Sequence, residues 1–259
     1  MEESEHYQTI KALPNFTGWQ PANSGIISYA LQVNGPKNRK QYECSLPDSI
    51  VVRIFNQFVG SDSTISFKDI FLGQSGPDSN RDREMLPAAL LAMCLRSYNN
   101  QFYWPVGLVR EQGNPVDFLI GKIAINPPHT SGCLYFQQKI FPNYFHKLPA
   151  KKRVSRAIDI VTQALEKPVD KSAISGDVLH ILFFSQIFVT RAERDLIYNA
   201  ALPTIKEQTI YKEYWFLYPE IPVNSGCPIS AEKIRTDGKA WFTRIDVMDE
   251  LNKYAKKQK

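Results

Sequence analysis

A chain of 259 residues that is 43% hydrophobic, 12% aromatic and 22% charged has ordinary globular composition, which excludes a disordered or fibrous protein and leaves one large domain or two small ones. Thirty-one basic residues against 26 acidic ones give a net charge of +5, which permits an anionic partner without requiring one. Cys44, Cys94, Cys133 and Cys227 are scattered, with no Cys/His spacing for zinc, so neither a structural metal nor a cofactor is expected.

The opening residues, Met1-Glu2-Glu3-Ser4-Glu5, are acidic where a secretory signal is basic and then apolar. The longest apolar run, 178–189, is too short to span a bilayer. These features predict a soluble intracellular protein of cytoplasm or nucleus, with reduced thiols, no membrane association and an unused sequon at Asn15-Phe16-Thr17.

In chain order, 26–33 and 41–46 read as strands of a hairpin around the basic loop Asn34-Gly35-Pro36-Lys37-Asn38. Residues 49–59 suit a buried strand or a short helix, and periodicity leaves both open. Residues 64–72 form a weaker strand pattern before a polar loop at 73–82. The spacing of Leu86, Ala89, Leu90 and Met93 then predicts a helix over 83–98. Residues 104–110 and 116–125 read as a second hairpin, closed by Pro127-Pro128.

Val154, Ala157, Ile158, Val161 and Leu165 recur at helical spacing and predict an amphipathic helix over 150–166. Residues 176–189 are apolar nearly all round and read as a central buried helix. Thr190-Arg191-Ala192-Glu193 matches a capping box and opens another helix, expected to stop before Pro203. Strands follow at 211–218 and 239–244, then a terminal helix over 246–257 with acids first and lysines last. The fold class is α+β: a β-rich N-terminal half, a helical segment at about 150–202 and a mixed C-terminal part. The expected organisation is a β-rich region with one helix (1–146) and a mainly helical region (147–259), packed as one compact unit.

The most informative stretch is 118–158, which holds seven cations and no acid. With this composition, an acid-free gap of such length arises in roughly a third of random chains. Its aromatics Tyr135, Phe136, Phe141, Tyr144 and Phe145 read as core ahead of stacking platform. The sharper signal is local. Lys147, Lys151, Lys152, Arg153 and Arg156 gather at the start of a helix, where the dipole disfavours cations by roughly 0.3–1 kcal/mol each. A bound anion would offset that penalty.

Lys37, Arg39 and Lys40, and the C-terminal Lys253, Lys256, Lys257 and Lys259, are two further basic groups that could extend such a surface. His180 reads as a hydrogen-bonded core residue on the apolar helix, and His146 beside Lys147 as a surface or anion-site residue. No phosphate-cradling loop, dinucleotide fingerprint or nucleophile elbow occurs.

The leading expectation is therefore a non-enzymatic binding protein for nucleic acid, RNA favoured, or another polyanion. Its contacts would come from Lys147, Lys151, Lys152, Arg153 and Arg156, assisted by Lys253, Lys256 and Lys257. An alternative is a protein-interaction, regulatory or self-assembling factor, with a protein partner or a homo-oligomer formed through aromatics around Trp104, Trp215 and Trp241. A third reading is a metal-dependent nuclease using Glu220, Asp237 and Lys239, a loose acid and acid-x-lysine pattern whose Asp237-Gly238 suits a hairpin turn equally well.

Overall fold

A computed structural model describes residues 16–21, 27–34, 39–59, 80–108, 116–124, 129–166, 179–186, 189–207, 210–220, 227–235 and 240–257. The chain is α+β. Among these residues an eleven-stranded mixed sheet forms the middle layer: β1 (Phe16–Pro21), β2 (Ile27–Asn34), β3 (Arg39–Ser45), β4 (Phe102–Tyr103), β5 (Val106–Leu108), β6 (Phe118–Ala124), β7 (His129–Phe141), β8 (Leu179–Ser185), β9 (Tyr211–Pro219), β10 (Pro228–Arg235) and β11 (Ala240–Asp246). The helices are α1 (Pro47–Val59), α2 (Asn80–Tyr98), α3 (Ala150–Glu166), α4 (Arg191–Glu207) and α5 (Val247–Lys257), with a 3-10 turn at Asn143–Lys147.

The sheet order is β1-β2-β3-β5-β6-β7-β8-β9-β10-β11, with β4 also on β6. All neighbours are antiparallel except β7–β8 and β8–β9. The pivot is β7, whose thirteen residues serve two partners. It pairs antiparallel with β6, placing Phe118 opposite Phe136, and parallel with β8 from Tyr135↔Leu179 to Phe141↔Ser185. Parallel neighbours need crossovers. Helix α3 connects β7 to β8, and α4 connects β8 to β9.

Alternation along the central strands divides the core into two faces. Ile181, Phe183, Tyr214, Phe216 and Tyr218 pack with α3 and α4. Leu182, Phe184, Trp215 and Leu217 pack with α1, α2 and the start of α5. Burying each such side chain stabilises the fold by about 1.5–3 kcal/mol. Ion pairs clamp the second layer: Arg96 on α2 reaches the buried Asp48 on α1 and, at 3.2 Å, Glu250 on α5.

Several expectations hold. The first hairpin forms as β2 and β3, and the second as β5 and β6. Helix α3 spans 150–166 and buries Val154, Ala157, Val161 and Leu165. Residues 49–59 belong to a helix.

The main correction concerns 176–189. The expected buried helix is the strand β8, whose seven residues are all buried. A parallel strand covered on both faces reads as a continuous apolar run, which periodicity does not separate from a helix. The helix that is buried on all sides is α2, where residues 85–95 are without exception buried. Helix α4 also runs through Pro203 to Glu207. Among the described residues the part beyond 147, expected to be mainly helical, contributes four strands to the sheet, and the part before it carries two helices where one was expected. No sequence signal marked β7 or β10 as strands. The loop at Lys37, the strand expected at 64–72 and the turns at 111–115 and 127–128 lie outside the described residues.

Candidate nucleic-acid interface

Strand β7 ends at Phe141, and Pro142 leads into the 3-10 turn that carries Tyr144, Phe145 and Lys147. Leu148 donates its backbone N–H to Phe145 O, and Arg153 donates its own to Pro149 O, which starts α3. Phe145 is buried beneath this junction while Lys147, Lys151, Lys152 and Arg156 are exposed. No acid occupies the first turn of α3. Among the described residues, Lys147, Lys151 and Lys152 form no ion pair. Arg156 has Asp159 at 4.0 Å, both side chains being more than half exposed, a geometry that contributes little.

Arg153 behaves differently from its neighbours. It turns inward to Glu193 on α4, its Nε 3.0 Å from Oε1 and its second guanidinium nitrogen on the same oxygen. The predicted capping box forms around that carboxylate. Thr190 N–H and Oγ1–H donate to Glu193 Oε2 at 3.0 and 3.1 Å, and Glu193 N–H donates back to Thr190 Oγ1 at 3.3 Å. Burial pushes the Glu193 carboxyl up, but the hydrogen bonds from Thr190 and Arg153 and the Arg153 charge together hold it below the ordinary carboxylate range. Arg153 therefore joins α3 to α4, and the exposed cluster has four members instead of five.

The hollows beside this junction are small. Phe141, Ser185, Val189 and Ile197 line two adjoining spaces, one of about 10 Å3 between α3, α4 and the sheet and one of about 20 Å3 between α4 and the sheet, room for about one water each. The larger is walled by Arg194, whose guanidinium is shared among Tyr218 Oη at 3.0 Å, Glu232 Oε1 at 2.8 Å and Asp195 Oδ1 at 2.6 Å. Burial pushes the Tyr218 phenol up to about 12 and raises the Glu232 carboxyl. With the Arg194 donors engaged and room for about one water, this corner is built for packing rather than for holding a small substrate.

Lys253 does not join the α3 cluster. Lys253 sits on α5, whose Val247 and Leu251 pack on the opposite face of the sheet, and its ammonium is 2.7 Å from Glu250. The side chains of Arg39, Lys40, His146, Lys256 and Lys257, and all of Lys37 and Lys259, lie outside the described residues. Trp104 and Trp215 are core residues, which leaves only the partly buried Trp241 near the surface, with exposed Tyr98 5.0 Å from it.

Glu220 accepts a hydrogen bond from Ser230 Oγ and pairs with Arg244 at 3.0 Å. Asp237 and Lys239 lie outside the described residues. The strand ends flanking them, Arg235 and Ala240, lie at the other end of the β10–β11 hairpin from Glu220, which neighbours Pro219↔Ile229. Six residues of strand, about 20 Å, intervene along β10. Among the described residues no cluster of His, Cys, Asp or Glu is arranged to hold a metal, and no helix is long and apolar enough to cross a membrane.

His180 is buried as expected, but on β8. Its Nδ1 lies 3.2 Å from Glu213 Oε2 without the alignment of a hydrogen bond. Glu213 also accepts from Trp215 Nε1 and Lys233 Nζ, each at 3.2 Å. Burial raises this carboxyl, but the His180 and Lys233 contacts outweigh it and bring the group down to about 2. Lys233 in turn lies over the rings of Trp215 and Trp241. This polar group is sealed by aromatics and holds neighbouring strands together.

No protein-family model matches the chain, and a search of curated proteins finds no match.

Proposed function

We propose that the protein binds nucleic acid through Lys147, Lys151, Lys152 and Arg156. One observation carries the reading: these four cations are exposed together at the β7–α3 junction, with no acid in the first turn of α3, while the fifth cation of the cluster is drawn inside by Glu193. Like charges gathered this way repel one another, and a phosphate chain relieves that repulsion by replacing it with attraction and releasing its own counterions. Lys152 and Arg156 are four residues apart on one helix face, about 6 Å between Cβ atoms, so neighbouring phosphates of one strand can meet both.

The test is a titration of a fluorescent RNA oligonucleotide at a series of salt concentrations, with the native protein and with a variant carrying Lys147→Ala, Lys151→Ala and Lys152→Ala. The native affinity falls steeply with salt, and the variant binds more weakly with a shallower salt slope. Binding that ignores salt, or a variant that binds as well as the native chain, overturns the reading.

A further inference from the structure

Resting on that reading, we infer that the ligand is a single strand with accessible bases, and that Tyr144 is the stacking platform for one of them. Six aromatic residues lie in the acid-free segment, and five are core: Phe118, Tyr135, Phe136, Phe141 and Phe145 are each at most 6% exposed. Tyr144 is 56% exposed. An aromatic side chain left in water beside a cationic surface has the composition that single-strand binding sites use, where cations track the backbone and flat rings take the bases.

Local geometry joins the ring to the cations. Tyr144 and Lys147 are three residues apart in a 3-10 turn, where side chains at i and i+3 eclipse, so both project from the same side of it. The Tyr144 ring meets the buried Phe145 ring edge to face, centroids 5.0 Å apart and planes at 79°. Phe145 is anchored in the core with Val154, Ala157 and Val161 of α3, so the exposed ring stands on a fixed neighbour. A platform held this way loses little freedom when a base settles on it. Lys151 and Lys152 follow one turn of chain later and are exposed in their turn. The site therefore offers a stacking face followed by a track of positive charge.

This arrangement discriminates between ligands. A duplex keeps its bases stacked inside and presents only phosphates to the cations. A base-free polyanion presents only charge. Neither gains from Tyr144.

The experiment measures the affinity of the full chain for three probes of equal length: a single-stranded oligoadenylate, the same backbone with abasic sites throughout, and an RNA duplex. Each is measured with the native protein, Tyr144→Ala, Tyr144→Phe, and the Lys151→Ala/Lys152→Ala pair. The expected result is that Tyr144→Ala weakens oligoadenylate binding about 5- to 100-fold, leaves the abasic and duplex probes unchanged, and is rescued by Tyr144→Phe. The inference is overturned if Tyr144→Ala changes no probe, or all three equally. If the lysine pair still weakens every probe in that case, nucleic-acid binding stands and only the stacking role falls. If neither variant changes any probe, both fall.

Discussion

Replacing Arg153 by alanine should destabilise the fold without loosening the ligand, although Arg153 belongs by sequence to the basic cluster. Its guanidinium places two nitrogens on Glu193 Oε1, and the side chains retain 21% and 10% of their exposure. An exposed pair contributes about 0–1 kcal/mol, and removing one partner of a fully buried pair costs about 3–5 kcal/mol. This pair lies between those limits, so Arg153→Ala should cost about 2 kcal/mol. In urea the midpoint should fall by roughly 1 M at a slope of about 2 kcal/mol/M. Glu193→Gln should cost a similar amount, because the amide still accepts from Thr190 but no longer opposes the guanidinium charge. The double variant should cost less than the sum, with a coupling of about 1–2 kcal/mol.

Binding should separate the residues the other way. Four phosphate contacts predict a salt slope near −3 for a single strand, at about −0.7 per contact, and Lys151→Ala/Lys152→Ala should bring it to about −1.5. Arg153→Ala should leave the slope unchanged. If Arg153→Ala instead keeps the native urea midpoint and flattens the slope by about 0.7, the guanidinium faces the ligand and the assignment is wrong.

Two further outcomes follow from the ion pairs. Glu213 is held at about 2, below its ordinary value of 4.5, so its contribution is complete above about pH 4.5 and is lost as the pH falls towards 2. Urea midpoints measured across that range should fall in the native chain, and Glu213→Gln should be less stable at neutral pH with a flatter acid limb. Arg96→Ala strips the buried Asp48 of its cation and leaves Glu250 to Lys253, and should cost about 3 kcal/mol, read as a lowered melting temperature by calorimetry.

The amphipathic elements were legible because one period fits them. Val154, Ala157, Val161 and Leu165 fall on one face of α3, and Thr190 and Glu193 mark the start of α4 by reciprocal hydrogen bonds that need only local sequence. The centre of the sheet was not legible in this way. Leu179 to Ser185 is buried on both faces, its polar His180 and Ser185 included, so no exposed side chain reports the period, and only its length separates strand from helix. Strand β7 hides for another reason. Its two partners pull on different halves, and its polar residues Gln137 and Lys139 share a face with the core residues Tyr135 and Phe141, which blurs the alternation. At the site, charge was visible and direction was not. Nothing local tells Arg153 from Lys152, because the carboxylate that turns Arg153 inward lies forty residues away on α4.

Misplacing β8 also concealed why the basic cluster stands where it does. With 179–185 as a strand parallel to β7, α3 becomes a crossover, and a crossover helix must begin where the preceding strand ends. Helix α4 begins after β8 under the same constraint, so the starts of both helices come to one edge of the sheet. The two starts carry opposite solutions. Helix α4 begins with Thr190 and Glu193, whose carboxylate suits the dipole and closes on Arg153. Helix α3 begins with lysines, which oppose it, and no acid of its own first turn compensates them. One helix start is completed inside the fold, and the other, among the described residues, is left with unneutralised charge facing solvent beside an exposed tyrosine. That asymmetry, rather than the total charge of the chain, is the physical case for a ligand at this edge.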